Sequence, residues 1–360
     1  MRRLVAEQRT RATGPSAESD RRRRSRLAKI ARPRSVGAAF VGGAVVIWIV
    51  GNLATSPSSF VFLLFVGVTN GAIYALVALG FMLSYALIGL INLPHGFVVV
   101  SGAALCAYFL DAVGVNEGTS FAGAALAVLV TLLLVMCLCG LLSAVIEIVA
   151  YRPLGNAPRL SRLVTAVGVL LILDNIIVVW TGGAPLTLPD LLPREAVFSV
   201  MGVAYTFDKL VVLITMALVL AGLYFGLQRT KAGRSVRAVS QDSIGAQLVG
   251  INVARTVTLG FFVAGALAGA GGELYALYFT TVTWDHGLRL TLIAFTAVVV
   301  GGVESLVGAV IGAMIIGITE SFVNGFTWYS PGSDWTLSVV LSIMIILLVL
   351  RPQGLLGKDQ

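Results

Sequence analysis

Five carboxylates stand within or at the ends of long apolar stretches of this 360-residue chain: Glu147, Asp174, Glu273, Glu304 and Glu320. A carboxylate in hydrocarbon is costly, so it marks an ion or substrate path, a proton relay or an interhelix hydrogen bond. Glu147 is within pairing reach of Arg152. Glu273 and Glu304 fall near the ends of apolar segments, where water is expected to reach them. Asp174 and Glu320 lie deeper and are the acidic candidates for a translocation path, with interhelix hydrogen bonding as the alternative. A proton relay would need more such groups in line.

Other chemistry is missing. The two histidines, His95 and His286, belong to no His-Glu-x-x-His pattern, and there is no Gly-x-Ser-x-Gly sequence. Lys29, Lys209, Lys231 and Lys358 are followed by Ile, Leu, Ala and Asp, so no phosphate-cradling loop ends in Lys-Ser or Lys-Thr. Cys106, Cys137 and Cys139 sit in apolar runs without a nearby His or carboxylate, as small hydrophobes do. No catalytic residue, no metal site and no cofactor held by this chain is expected.

The elements that carry these groups are membrane helices. The chain is 58% hydrophobic and 12% charged, against about 25% charged for an ordinary soluble domain. No Asp, Glu, Lys or Arg occurs between Arg34 and Asp111, nor within 118–146, 210–228, 256–272, 290–303, 305–319 and 335–350. About 20 apolar residues, each rising ~1.5 Å, cross ~30 Å of hydrocarbon. The expected fold is all-α, a polytopic transmembrane helical bundle with about ten crossings.

Basic residues place the loops. The first 35 residues hold twelve of the 25 basic and three of the 17 acidic residues, including Arg21-Arg22-Arg23-Arg24. Residues 1–35 are read as a disordered basic cytoplasmic tail drawn to anionic headgroups. Residues 36–350 are the transmembrane domain, and 351–360 a short cytoplasmic tail. Between the ends, Arg152, Arg159, Arg162, Arg229, Lys231, Arg234, Arg237 and Arg255 mark cytoplasmic loops. Only Arg194, Lys209 and Arg289 fall in the opposite loops. Both termini are therefore expected in the cytoplasm.

Parity tests the count. Two crossings separate Arg162 from Arg229, with a polar outer loop carrying Pro185, Pro189 and Pro193 between them. Four separate Arg255 from Arg351. Between Arg34 and Arg152, five candidates appear: 36–53, 60–77, 79–92, 97–112 and 121–147. Five is odd, so the shortest, 79–92, is expected to be broken or re-entrant within 79–96. Asn92-Leu93-Pro94-His95-Gly96 ends it, and Pro and Gly free backbone groups. Irregular backbone at membrane depth survives inside protein or against a water-filled cavity. Asn92, His95 and Gly96 are accordingly candidates for the path. Gly265-x3-Gly269 and Gly308-x3-Gly312 suit close helix packing, with gating as the alternative use.

The cytoplasmic segment 229–255 is the most informative polar stretch. Residues 234–248 suit a short amphipathic helix with Val236, Val239, Leu248 and Val249 among its apolar positions. Gly250 and Asn252 serve as stop signals. An Ala-rich helix between two spans suits insertion into a groove on a cytoplasmic partner.

Local sequences then resemble the inner-membrane permeases of branched-chain amino acid ABC importers. They run through most of residues 60–357: Asn70-Gly71 with Tyr74-Ala75-Leu76, Ile91-Asn92 with His95-Gly96, and Ala150-Tyr151-Arg152-Pro153 after Glu147. Next come Gly233-Arg234 with Arg237-Ala238 and Asp242, then Ala246, Leu248 and Gly250-Ile251-Asn252. Last are Gly301-Gly302, Ser305, Gly308-Ala309, Gly312 and Arg351-Pro352-Gln353-Gly354-Leu355-Leu356-Gly357.

The resemblance implies a permease subunit forming the pathway for branched-chain amino acids or similar small solutes. Its implied partners are a second, related permease subunit, two ATPase subunits that use the ATP, and an extracytoplasmic solute-binding protein. The implied location is a bacterial inner membrane. Gly233, Arg234, Arg237, Asp242, Ala246, Gly250 and Asn252 would form the ATPase-coupling segment. Two departures stand out: the basic tail with helix 36–53, and Gln241 where that segment often has Glu. A secondary transporter or channel working without an ATPase is the alternative reading, and a membrane-anchored enzyme a remoter one.

Overall fold

The computed structural model describes residues 43, 46–116, 118–155, 157–303, 305–327, 330–351 and 353–356. The expected basic tail 1–35, Glu304 and residues 357–360 lie outside these. The chain forms two units, Met1–Pro57 and Ser58–Gln360. Of the first, α1 (Val46–Thr55) is the described part, a short apolar helix.

Eight helices among the described residues are long and apolar enough to cross a membrane. α1 and α10 are shorter apolar helices, beside about ten crossings expected. They are α2 (Pro57–Ile88), α3 (His95–Ala112), α4 (Phe121–Ile146), α5 (Arg159–Thr181), α6 (Phe207–Arg229), α9 (Val253–Phe279), α11 (Leu306–Gly325) and α12 (Thr336–Leu350). α10 spans His286–Gly301. A π-turn, Glu147–Tyr151, and a 3-10 turn, Arg152–Leu154, prolong α4.

One expected boundary is corrected. Segments 60–77 and 79–92 are a single helix, α2, of 32 residues, about 48 Å long at 1.5 Å per residue. No charged residue interrupts it, and a helix longer than the hydrocarbon need not be two. The break stands between α2 and α3. Gly89 adopts φ +64° and its N–H donates to Tyr85 O at 2.8 Å, an αL helix stop. Pro94 then opens α3, where a missing N–H costs nothing. Fusing the two candidates leaves three long apolar helices between Pro57 and Arg152, with no re-entrant piece among the described residues.

A second correction concerns strands. The loop carrying the three prolines holds a hairpin, β2 (Ala196–Val200) with β3 (Val203–Thr206), and β1 (Leu186–Thr187) pairs antiparallel with β4 (Thr281–Val282). The hairpin turns through Met201 and Gly202, both at positive φ, as tight two-residue turns require. Too short for a two-residue period to show, these strands left no signal in the sequence.

Small residues set the packing. A Cβ at Gly269 would stand 2.9 Å from Val135 O, and one at Gly265 would collide with the Cys139 carbonyl, so α9 lies backbone to backbone on α4. Gly308 and Gly312 meet Gly301 and Ala297 in the same way. Both expected small-x3-small pairs are thus contact points. α2, α3, α9, α10 and α11 carry most of the buried residues. α4, α5, α6 and α12 turn apolar side chains such as Leu129, Leu133, Ile172, Leu218 and Val349 outward, where lipid makes that surface free of cost. After α12 the chain folds back: Leu355 N–H donates to Val300 O at 2.9 Å and Leu356 N–H to Gly301 O at 3.0 Å. Those carbonyls end α10 and would otherwise be unpaired.

Candidate functional site

The turn from α2 to α3 is held by hydrogen bonds, although His95 Nδ1 is buried without a partner among the described residues. His95 is completely buried, and its Nε2–H donates to Val77 O at 3.0 Å; a carbonyl only accepts, which fixes the tautomer. Asn92 donates to Ser84 Oγ at 3.4 Å and accepts from the Tyr151 hydroxyl at 3.1 Å. Gly96 N–H donates to Thr291 Oγ1 at 2.9 Å, and that hydroxyl reaches Leu93 O at 3.0 Å. Thus Ile91-Asn92 and Ala150-Tyr151, about sixty residues apart, touch. All three candidates, Asn92, His95 and Gly96, are buried within the chain.

The carboxylates separate into different environments. Glu147 accepts from Arg152 Nε at 3.1 Å and Nη2 at 2.8 Å, and from Thr258 Oγ1 at 2.8 Å. Both its oxygens are satisfied, as the expected pairing required. Glu273 corrects the expectation of a solvated group: it is 0% exposed. The Thr131 hydroxyl donates to its Oε1 at 2.9 Å, while Oε2 has no partner. α9 runs six residues beyond it, which buries it within the bundle. Asp174 is half-buried on α5. Glu320, on α11, is buried and forms an ion pair with Arg289 of α10. Tyr74 and Tyr275 stand close to this pair.

Between α6 and α9 the polar segment is two helices, α7 (Lys231–Gln241) and α8 (Ser243–Leu248), not one. Each has its own cap: Thr230 Oγ1 accepts from Gly233 N–H at 2.9 Å, and Asp242 Oδ1 accepts from Ile244 and Gly245 N–H at 3.0 Å. Asp242 breaks the run because its side chain competes for helix N–H groups. Gly233 packs so closely on Leu227 that a Cβ would collide with its backbone. Arg237 donates to Leu227 O. Gly250 takes φ +85°, and Asn252 starts α9, accepting from Arg255 N–H at 3.0 Å, rather than stopping the helix before it. Arg234 is exposed. Val236, Val239 and Ala246 are buried, whereas Ile244, Leu248 and Val249 are 71%, 84% and 76% exposed.

Residues 63–350 match the family model described as branched-chain amino acid transport system, permease component. The chain belongs to this family. The permease protein BraD of the high-affinity branched-chain amino acid transport system of Pseudomonas aeruginosa is 31% identical over 297 residues, 82% of this chain and 94% of the relative. LivH of Escherichia coli K12, the corresponding permease protein, is 30% identical over 308 residues, 82% and 95% respectively. A more distant likeness is to PsaBC from Streptococcus pneumoniae in complex with Fab: TM-score 0.39, 16% identity, 86% of this chain and 97% of that one.

Within this permease, sequence reasoning missed Arg289 and Ile244. Arg289 sits between apolar neighbours as an isolated charge, and its sequence position could have marked it with the five carboxylates. Ile244 stands four residues before Leu248 on one helical face, and that spacing could have marked it. Glu273 yields a test. Replacing Glu273 with Gln keeps the shape and an acceptor for Thr131, so the thermal midpoint of the purified permease should fall by less than about 1.5 kcal/mol equivalent. Glu273→Lys introduces a buried cation without a counter-charge and should cost several kcal/mol. Equal midpoints for the two variants would show that this position is open to water.

Proposed function

We propose that this chain is a transmembrane permease subunit of an ATP-binding-cassette importer, forming the path for branched-chain amino acids handed over by a solute-binding protein. Family membership over residues 63–350 carries this reading. In it the chain pairs with a second, related permease subunit and with two ATPase subunits that use the ATP. Both termini face the cytoplasm of a bacterial cell, on the basic-loop pattern.

The coupling segment is α7–α8. Its rigidity supports the role: Thr230, Gly233, Arg237, Asp242, Gly250 and Asn252 hold the two helices, Ala246 packs inward, and Arg234 stays outside. Ile244, Leu248 and Val249 then form an apolar knob left uncovered by the described residues, of the kind a groove on a partner would receive. Asn92, His95 and Gly96 act as positioning residues that hold the start of α3, and Glu320 stands beside the path. Asp174, half-buried on α5, is kept as a path candidate to be tested with them.

Reconstitution tests the whole. Liposomes holding this chain, its partner permease and the ATPase subunits should accumulate leucine, isoleucine or valine only with ATP and the binding protein. This chain alone should neither hydrolyse ATP nor move leucine. Accumulation by the chain alone, driven by an ion gradient, would establish a secondary transporter instead.

A further inference from the structure

Two buried glutamates of this bundle pair with arginines, Glu147 within one helix end and Glu320 across two helices, and the pairs are built differently. At Glu147 every carboxylate oxygen is used by Arg152 or Thr258, as a structural clamp requires. At Glu320 the pairing is incomplete. Arg289 engages Oε1; Oε2, also buried, is not reached by the guanidinium, and the Tyr74 hydroxyl is the donor beside the carboxylate. The glutamate side chain is 5% exposed and the arginine 37%, so the guanidinium reaches open space while its counter-charge stays inside. The surroundings are polar by the standards of this bundle. Buried Tyr74 and Tyr275 stand beside the pair, and Tyr275 shares a 2.9 Å hydrogen bond with His286 Nδ1. Three helices besides α11 thus converge on Glu320: α2, α9 and α10.

We propose that Arg289 and Glu320 form an exchange site for the zwitterionic head of an α-amino acid. The inference rests on the proposed import of branched-chain amino acids and names the groups that would read them. Such a solute has an apolar side chain, so its carboxylate and ammonium are the only polar handles. Passing them through a dry bundle uncompensated would cost several kcal/mol per charge. A preformed ion pair can open and close again on the solute: the partly exposed guanidinium takes the carboxylate in bidentate fashion. Glu320, released by Arg289 on Oε1 and unused by the guanidinium on Oε2, takes the ammonium. One ion pair becomes two, and no charge is left alone at any stage. Arg suits the first role because its fork matches a carboxylate and its charge is permanent. The flanking hydroxyls of Tyr74 and Tyr275 give the site donors besides the guanidinium.

The test uses the full importer in lipid nanodiscs without the binding protein, with saturation-transfer NMR on the leucine methyl signals. Leucine should receive saturation; leucinamide, lacking the carboxylate, and 4-methylpentanoate, lacking the ammonium, should each receive at least several-fold less. This arm needs no variant, and equal transfer to all three would overturn the proposal. The paired variant R289Q/E320Q removes both charges together, leaving no lone buried ion. It should keep its thermal midpoint and ATPase assembly but lose ten-fold or more of leucine uptake in liposomes. Wild-type leucine uptake from that variant would also overturn the site. If the variant loses its fold, the nanodisc comparison with wild-type importer still decides. Absence of ATP-dependent leucine uptake by the wild-type importer would sink the import reading itself, and the site with it.

Discussion

Gly96→Val is expected to leave almost no folded permease. A Cβ at this position would collide with the Gly287 carbonyl oxygen and with Thr291 Oγ1, and stand 2.7 Å from the Thr291 backbone nitrogen. None of these atoms belongs to a flexible side-chain end, and Thr291 is itself fixed by hydrogen bonds to Leu93 O and Gly287 O. Relief requires α3 and α10 to separate, which breaks the Gly96–Thr291 bond and opens the fully buried surroundings of His95. Overpacking usually costs 1–3 kcal/mol; here the backbone clash should exceed about 3 kcal/mol. Gly96→Ala should already lower the thermal midpoint of detergent-purified protein clearly. A monodisperse Gly96→Val protein with the wild-type midpoint would mean that α3 and α10 do not approach as described.

The second large effect is expected in assembly rather than folding. Ile244→Asp combined with Leu248→Asp changes two exposed side chains, so the permease should insert and melt as wild type. If α8 seats in an ATPase groove, each carboxylate loses water there without a partner. A combined loss of about 3 kcal/mol corresponds to roughly a hundred-fold weaker association at ~1.4 kcal/mol per decade. Co-purified ATPase subunits and solute-stimulated hydrolysis should therefore fall together. Normal recovery of both would make α7–α8 a plain connecting loop. Ala246 is a poorer probe, because it is 4% exposed within this chain. A glutamate there would damage the segment itself and say little about the partner.

Much of this was legible in the sequence because hydrocarbon leaves so few choices. Charge-free runs gave the helices, and Gly265-x3-Gly269 and Gly308-x3-Gly312 gave two of the closest crossings. Gly250 was readable as a helix stop, whereas Asn252 caps the following helix and the caps Thr230 and Asp242 went unread. What escaped depends on distance in space. Nothing near Glu273 in the chain reveals Thr131 opposite it, so an apparent end of a span was in fact deep interior. Arg289 and Glu320 are thirty-one residues apart, beyond any local pattern. Asn92 and Tyr151 each looked like part of a separate motif until the fold joined them. α2 was divided because a span of minimum length was assumed where the helix simply continues.

The fold-back of residues 354–356 onto the end of α10 bears on biosynthesis. The carbonyls of Val300 and Gly301 receive their partners from Leu355 and Leu356, which are translated only after α11 and α12. While those helices are being made, the end of α10 has water or headgroups as its only partners, so the element closes last. Gly354, at φ +78° and packed against the Gly302 backbone, makes that closure a tight fit. A nascent permease stalled at Leu350 would hold all the long apolar helices described here yet leave the end of α10 unlatched.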